Sequence, residues 1–160
     1  MKRFMMAMAL LILAQGLAFG QSSNERKGWG YVFGGAGVRE GFGSQTVINV
    51  GGGGEGIIAK GFGVGGELGY LSTTRSASDG FGLASVNFSY HFNNAQKLAP
   101  FVTGGGSLAF RGGSAGGGNI GGGVHYWMRD NVGLRVEVRD FIFSSDITNT
   151  VVFRVGLSFR

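Results

Sequence analysis

Apolar and polar residues alternate with a period of two along most of this chain. No segment beyond the first twenty residues carries a convincing 3.6-residue apolar period, so the sequence reads as all-β. The last segment is the clearest. Val151, Phe153, Val155, Leu157 and Phe159 form one face, against Val152, Arg154, Gly156, Ser158 and Arg160 on the other. The segment before it repeats the pattern, with Val132, Leu134, Val136 and Val138 opposed to Gly133, Arg135, Glu137 and Arg139. Similar runs lie near 28–38, 47–59, 61–72, 81–92, 100–111 and 117–128, which predicts eight strands. The stretches between them (39–45, 60–61, 73–80, 93–99, 112–115, 129–131 and 144–149) carry turn residues, so each strand can pair with its sequence neighbour. Pro100, the only proline, is expected at the first position of a strand, where its missing N–H does least harm.

A shift of 70 residues superimposes much of the pattern on itself. Asn49 meets Asn119, Gly51 to Gly53 meet Gly121 to Gly123, Gly63 meets Gly133, and Glu67 meets Glu137. Tyr31-Val32 and Gly34-Gly35 meet Phe101-Val102 and Gly104-Gly105. Such a repeat predicts a closed, pseudo-symmetric sheet. Strands of about eleven or twelve residues exceed the common soluble length of about 5 to 6 and match the roughly 9 to 11 tilted residues that cross a bilayer. Aromatic residues fall near the ends of the apolar face: Phe62, Tyr70, Phe88, Tyr90, Phe92, Phe110, Tyr126 and Phe159. The apolar face is therefore expected to point outward to lipid, with aromatics at the interfaces. The other face holds Glu55, Glu67, His91, Arg111, His125, Arg135, Glu137, Arg139 and Arg154 among glycines and small polar residues, and is expected to line the lumen. Lumenal Gly51, Gly53, Gly63, Gly65, Gly105, Gly121 and Gly123 would let a tightly curved sheet bend. A soluble, lipocalin-like barrel with an apolar interior that carries a lipid is the alternative arrangement.

The first twenty residues stand apart. Lys2 and Arg3 precede the apolar run 4–14, and Ala18, Phe19 and Gly20 supply small residues at the positions a signal peptidase restricts. The run is far shorter than the ~20 residues of a membrane-spanning helix. A signal peptide over 1–20, cleaved near Gly20, leaves a single domain over 21–160. Cysteine is absent and proline nearly so, whereas glycine makes up 34 of 160 residues without the three-residue period of collagen. The chain has 14 Lys and Arg against 9 Asp and Glu; two of the cations lie in the signal, so the rest carries about +3. These charges are scattered instead of gathered on one face, which argues against nucleic-acid binding.

Candidate chemistry is sparse. Gly61, Gly63 and Gly66 match G-x-G-x-x-G, but that motif works by opening a helix towards a pyrophosphate, and here a strand continues. Gly51 to Gly54 lack the Lys-Ser/Thr ending of a phosphate loop. His91 and His125 have no serine and carboxylate at motif spacing, and two histidines without cysteine predict no metal site and no cofactor. The candidate constellation is ionic: Glu55, Glu67 and Glu137 can pair with Arg111, Arg135, Arg139 and Arg154 in the lumen.

The export signal, the eight-strand grammar, the Pro100-Phe101-Val102 strand opening, the run Asn131-Val132-Gly133-Leu134-Arg135-Val136-Glu137 and the aromatic-ended strand 151–159 resemble small outer-membrane β-barrel domain proteins, akin to the OmpA-like transmembrane barrel. The resemblance covers essentially the whole chain after the signal. It implies an eight-stranded antiparallel up-and-down transmembrane β-barrel without a periplasmic domain. It also implies outer-membrane lipid and the barrel assembly machinery as partners, the latter reading Val155, Leu157 and Phe159, although Arg160 follows the terminal aromatic here. The expected function is a non-enzymatic, monomeric barrel of the bacterial outer membrane that supports envelope integrity, with a narrow passive or gated ion pore as its sharper form. The alternative is a surface binding protein using the loops near 39–46, 73–80 and 144–149, with Phe42, Arg75 and Asp79 available for contact.

Overall fold

A computed structural model describes residues 27–40, 45–74, 76–92, 96–143 and 149–160. The signal segment 1–20 lies outside the described residues. Eight strands follow one another: β1 (Gly28–Arg39), β2 (Gln45–Ala59), β3 (Phe62–Thr73), β4 (Ser76–His91), β5 (Leu98–Phe110), β6 (Ser114–Trp127), β7 (Val132–Phe143) and β8 (Thr150–Phe159). Each pairs antiparallel with its sequence neighbours, and β1 pairs with β8, so the sheet closes into a barrel with no free edge. Closure satisfies every ladder within the barrel, which is what a strand protein needs where water cannot reach its backbone.

The period-two pattern maps onto two faces. Val151, Phe153, Val155, Leu157 and Phe159 point outward, and Thr150, Val152, Arg154, Gly156 and Ser158 inward. The outer surface is apolar almost throughout, with Val86, Phe88 and Ile120 each more than half exposed. Phe62, Tyr90, Phe92, Tyr126 and Phe159 form a collar at the end that carries the chain termini, and Tyr70 and Phe110 lie towards the opposite end. Among the described residues one carboxylate interrupts this face: Asp140 sits at an outward position on β7 between Val138 and Ile142.

Curvature depends on the inward glycines. At Gly105 a Cβ would lie 2.0 Å from the Val86 carbonyl oxygen, and at Gly123 2.0 Å from that of Val136. A side chain at either position would push neighbouring strands apart, whereas outward Gly106 has nothing within 4 Å of a Cβ. Glycine thus allows the close approach by which eight strands coil into a narrow cylinder.

The ladders depart from the expected boundaries at the starts of β4 and β5. The stretch 73–80 reads as a loop, yet β4 begins at Ser76 and Thr73 pairs with Ser76. Composition alone cannot separate a polar strand end from a turn. β5 begins at Leu98, so Pro100 is the third residue of its strand; its carbonyl accepts a bond from the Phe92 N–H. The inward face is also far less polar than expected. Trp29, Tyr31, Phe33 and Trp127 fill the lumen at the terminal end, and Val47, Leu71, Leu83, Ala109, Phe141, Phe143 and Val152 fill it at the other. From Gly28 to Val38 both faces of β1 lack charge, and alternation marks a face only when the two faces differ.

Candidate functional site: the lumenal ion cluster

Between these two apolar layers lies a polar middle. Its charges come from four strands. β2 and β3 supply Glu55 and Glu67; β7 supplies Arg135, Glu137 and Arg139, spaced by two so that all three share the inward face; β8 supplies Arg154, in register with Glu137. Glu55 and Glu67 sit in register with Gly65 and Gly53 on the neighbouring strand, which leaves room for arginines arriving from across the barrel.

Three glutamates and three arginines then form one connected cluster. Arg154 is central: its Nη1 donates to Glu67 Oε1 (2.6 Å), and its Nη2 donates to Glu67 Oε2 (3.2 Å) and Glu137 Oε2 (2.9 Å). Arg139 donates from Nε to Glu137 Oε1 (2.7 Å) and from Nη1 to Glu67 Oε2 (3.4 Å). Its Nη2 also approaches Glu137 Oε1, at 2.5 Å, without hydrogen-bond alignment, so that contact is a charge contact only. Arg135 joins Glu137 Oε2 (3.1 Å) to Glu55 Oε2 (3.2 Å). Glu55 further accepts from Ser89 Oγ and contacts His91 Nε2 at 2.6 Å.

All six ions are nearly inaccessible, with Arg139 fully buried and Arg154 2% exposed. Removing an ion from water costs several kcal/mol unless partners replace the lost solvation. Here the replacement is complete in sign, three against three, and aromatic rings lie against the guanidinium groups of Arg135 and Arg154. Arg135 lies 4.7 Å from the Tyr31 ring and 4.1 Å from Phe101, and Arg154 lies 4.2 Å from Phe33. The opposite wall is neutral: Asn119 Nδ2 donates to Asn87 Oδ1 and Ser107 Oγ (both 2.9 Å), and Ser107 meets Ser85 at 2.8 Å.

Towards the terminal end the lumen is closed by rings. Trp29 meets His91, His125 and Trp127 edge-on at centroid distances of 5.0, 5.2 and 5.7 Å, and His125 stacks on Trp127 at 4.3 Å. Within the polar middle a cavity of about 10 Å³ is bounded by Tyr31, Glu55, Arg135 and Arg139, among others. That is about the space of one water molecule. It is far too small for a lipid, so this interior cannot serve the lipid-carrier alternative.

The structure brings together six of the seven residues proposed for the network. Arg111 is the exception. Extending the alternation of β5 beyond Ala109 would turn it inward, but the strand ends at Phe110 and Arg111 stands exposed in the β5–β6 turn, its N–H bonded to the Gly113 carbonyl. Val155, Leu157 and Phe159 lie on the outer face of β8, each about two-fifths to one-half exposed. Tyr31 was not among the sequence candidates, yet its hydroxyl donates to Glu67 Oε2 at 3.1 Å. The 70-residue repeat carried a signal for it, since it pairs Tyr31 with Phe101, the other ring on Arg135. Among the described residues no group of His, Asp and Glu could hold a metal ion. Phe42 and Arg75 lie outside the described residues, as does the side chain of Asp79.

A closed eight-stranded antiparallel barrel with an apolar exterior and an ion-paired interior is the fold of the small outer-membrane barrels. No protein-family model and no curated protein matches the sequence. Solved structures do. Neisserial surface protein A is 16% identical with a TM-score of 0.67, covering 88% of this chain and 99% of that one. The N-terminal β-barrel domain of Pseudomonas aeruginosa OprF is 17% identical with a TM-score of 0.60, covering 83% and 98%. Ail, the attachment invasion locus protein of Yersinia pestis, is 13% identical with a TM-score of 0.58, covering 84% and 98%. At such identities the likeness is one of fold.

Proposed function

We propose that this chain is a non-enzymatic barrel of the bacterial outer membrane that is closed at rest and contributes to envelope integrity as a rigid, lipid-embedded monomer. In this reading residues 1–20 direct export and are removed near Gly20, and the barrel assembly machinery reads Val155, Leu157 and Phe159 on the last strand. The apolar outer face and aromatic collar support the membrane placement. The observation that carries the closed state is the lumen itself: a neutral ion cluster held between two apolar layers, beside a cavity the size of about one water. An ion entering it would have to displace a guanidinium or a carboxylate from its partners.

The test combines localisation with conductance. Outer-membrane fractions should hold a band whose gel mobility shifts on boiling, and the purified protein should add no steady conductance to a planar bilayer. A steady wild-type conductance that changes when Glu67 and Glu137 become Gln would overturn the closed state and establish the gated-pore reading.

A further inference from the structure

The charges outside the lumen are distributed unequally between the two ends of the barrel. At the end bearing the termini, Lys27, Lys60, Lys97, Arg129 and Arg160 are all exposed, opposed among the described residues by Asp130 alone. At the other end the described residues hold Arg39 and Arg111 against Glu40 and Asp140. With the lumen neutral, the positive excess of the described barrel lies on the terminal rim.

The spacing of these cations is as informative as their number. Lys27 precedes β1 and Arg160 follows β8, while Lys60, Lys97 and Arg129 belong to the β2–β3, β4–β5 and β6–β7 connections. Each connection around the rim thus contributes one cation. Four of the five stand next to an apolar or aromatic residue of the outer collar: Lys60 two residues before Phe62, Lys97 before Leu98, Arg129 after Met128 and Arg160 after Phe159. Backbone bonds hold these segments in place, from Ile57 N–H to Lys27 O, His91 N–H to Gly61 O, Trp127 N–H to Lys97 O, and Arg160 N–H to Asn131 O. Between two of them a recess of about 400 Å³ is lined by Lys97, Trp127, Met128, Arg129, Asp130 and Asn131.

We infer that this rim binds the phosphate-bearing headgroups of anionic phospholipid, with Lys97 and Arg129 at the recess as the principal contacts. The inference rests on the membrane reading above. In a bilayer whose hydrocarbon meets the collar, a cation directly beyond each collar residue lies at the level of the lipid phosphates. An anionic surface attracts each such Lys or Arg at short range. A soluble polyanion would be served by cations gathered on one patch; cations spread one per turn around a circle, beside apolar anchors, fit a planar layer of headgroups.

The probe is spin-labelled phosphatidylglycerol compared with spin-labelled phosphatidylcholine, each in phosphatidylcholine vesicles containing the full barrel, with the motionally restricted fraction as readout. The wild type should select phosphatidylglycerol several-fold, and the selectivity should fall towards one in high salt. The double variant Lys97→Gln with Arg129→Gln should bring that selectivity down to about one, whereas Arg39→Gln with Arg111→Gln at the other rim should keep it. Lys60→Gln, on a separate turn, should give a smaller loss and serves the test should the double variant fail to fold. Equal restriction of the two lipids by the wild type, or unchanged selectivity in the Lys97 and Arg129 variant, overturns the headgroup site. Heat-shifted mobility in the same vesicles separates the two levels: a barrel that inserts without selecting phosphatidylglycerol sinks this site alone, and a chain that never inserts sinks the membrane reading with it.

Discussion

The first four strands and the last four follow the same pattern at a spacing of 70 residues, yet they contribute opposite charge to the lumen. Among the described residues, β1 to β4 bring buried Glu55 and Glu67 and no buried arginine; β5 to β8 bring Arg135, Arg139 and Arg154 with Glu137. Where the second half has Arg135 and Arg139, the repeat places Gly65 and Gly69 in the first. The long side chains of one half therefore extend into volume that the other half leaves empty. The three shortest hydrogen bonds from Arg154 and Arg139 to Glu67 and Glu137, at 2.6 to 2.9 Å, share this geometry, in which a guanidinium lies between two carboxylates that the repeat makes equivalent. A duplicated sheet closes on itself through ladders alone. Breaking its symmetry in charge lets the interior hold the two halves in one relative position.

If that is correct, Arg154 is the most sensitive position in the barrel. Arg154→Met removes the cation between Glu67 and Glu137 and leaves them as neighbours with only Arg139 shared between them. Breaking a buried pair by deleting one partner costs about 3–5 kcal/mol, and urea unfolding of the refolded protein in vesicles should show a loss of that size. A loss under about 1 kcal/mol would mean that water reaches the cluster and that the lumen is open.

The next effect is a recovery. Adding Glu67→Gln to Arg154→Met returns the lumen to neutrality, with Glu55, Glu137, Arg135 and Arg139 still paired. The double variant should regain more than half of the lost stability, because the cost of the single change is mainly the uncompensated carboxylate. Strictly additive losses would show that the halves are not coupled through charge.

How much of this could be read from the sequence depends on the contrast between neighbouring positions. β8 was legible from Phe153 onward, since Arg154, Gly156 and Ser158 differ sharply from the apolar residues beside them, and β7 likewise. In β1 both faces are aromatic, aliphatic or glycine up to Val38, so the pattern did not reveal that Trp29, Tyr31 and Phe33 turn inward to form, with Trp127, one of the two lumenal layers. The pairings within the cluster were not legible either. Which arginine meets which glutamate depends on register across the barrel, and contacts such as Arg135 to Glu55, 80 positions apart, have no local signature. Arg111 marks the opposite failure: alternation was extended one step beyond the point where the strand ends.

A third comparison concerns glycines on the two faces of one hairpin. Gly123→Ala puts a methyl group where the Val136 carbonyl oxygen stands 2.0 Å away, within the pairing of β6 with β7. Gly106→Ala on β5 meets nothing within 4 Å. The first should cost about 1–3 kcal/mol, as overpacking does, and slow the appearance of the heat-shifted band during refolding; the second should be nearly silent. Equal effects would mean that the sheet is less tightly coiled at Gly123 than the close approach implies.

The smallest expected effect also comes from a departure from the repeat. Asp140 occupies the outward position equivalent to Tyr70, an aromatic near the same end of the barrel in the first half, and its Oδ1 has no hydrogen-bond partner among the described residues. It pairs in the ladder with Ile120 and Val151 near the end of β7. A charged side chain on the lipid face costs least near the interface, about 0–1 kcal/mol there and less for Asp than for Lys or Arg. Asp140→Asn keeps the shape and removes the charge, so it should raise stability by no more than about 1 kcal/mol in vesicles. In a detergent micelle, where water penetrates more readily around the barrel, the gain should shrink. A variant less stable than the wild type in both would show that the carboxylate has a favourable partner at that site, and that the outer face of the second half is not uniformly in contact with lipid.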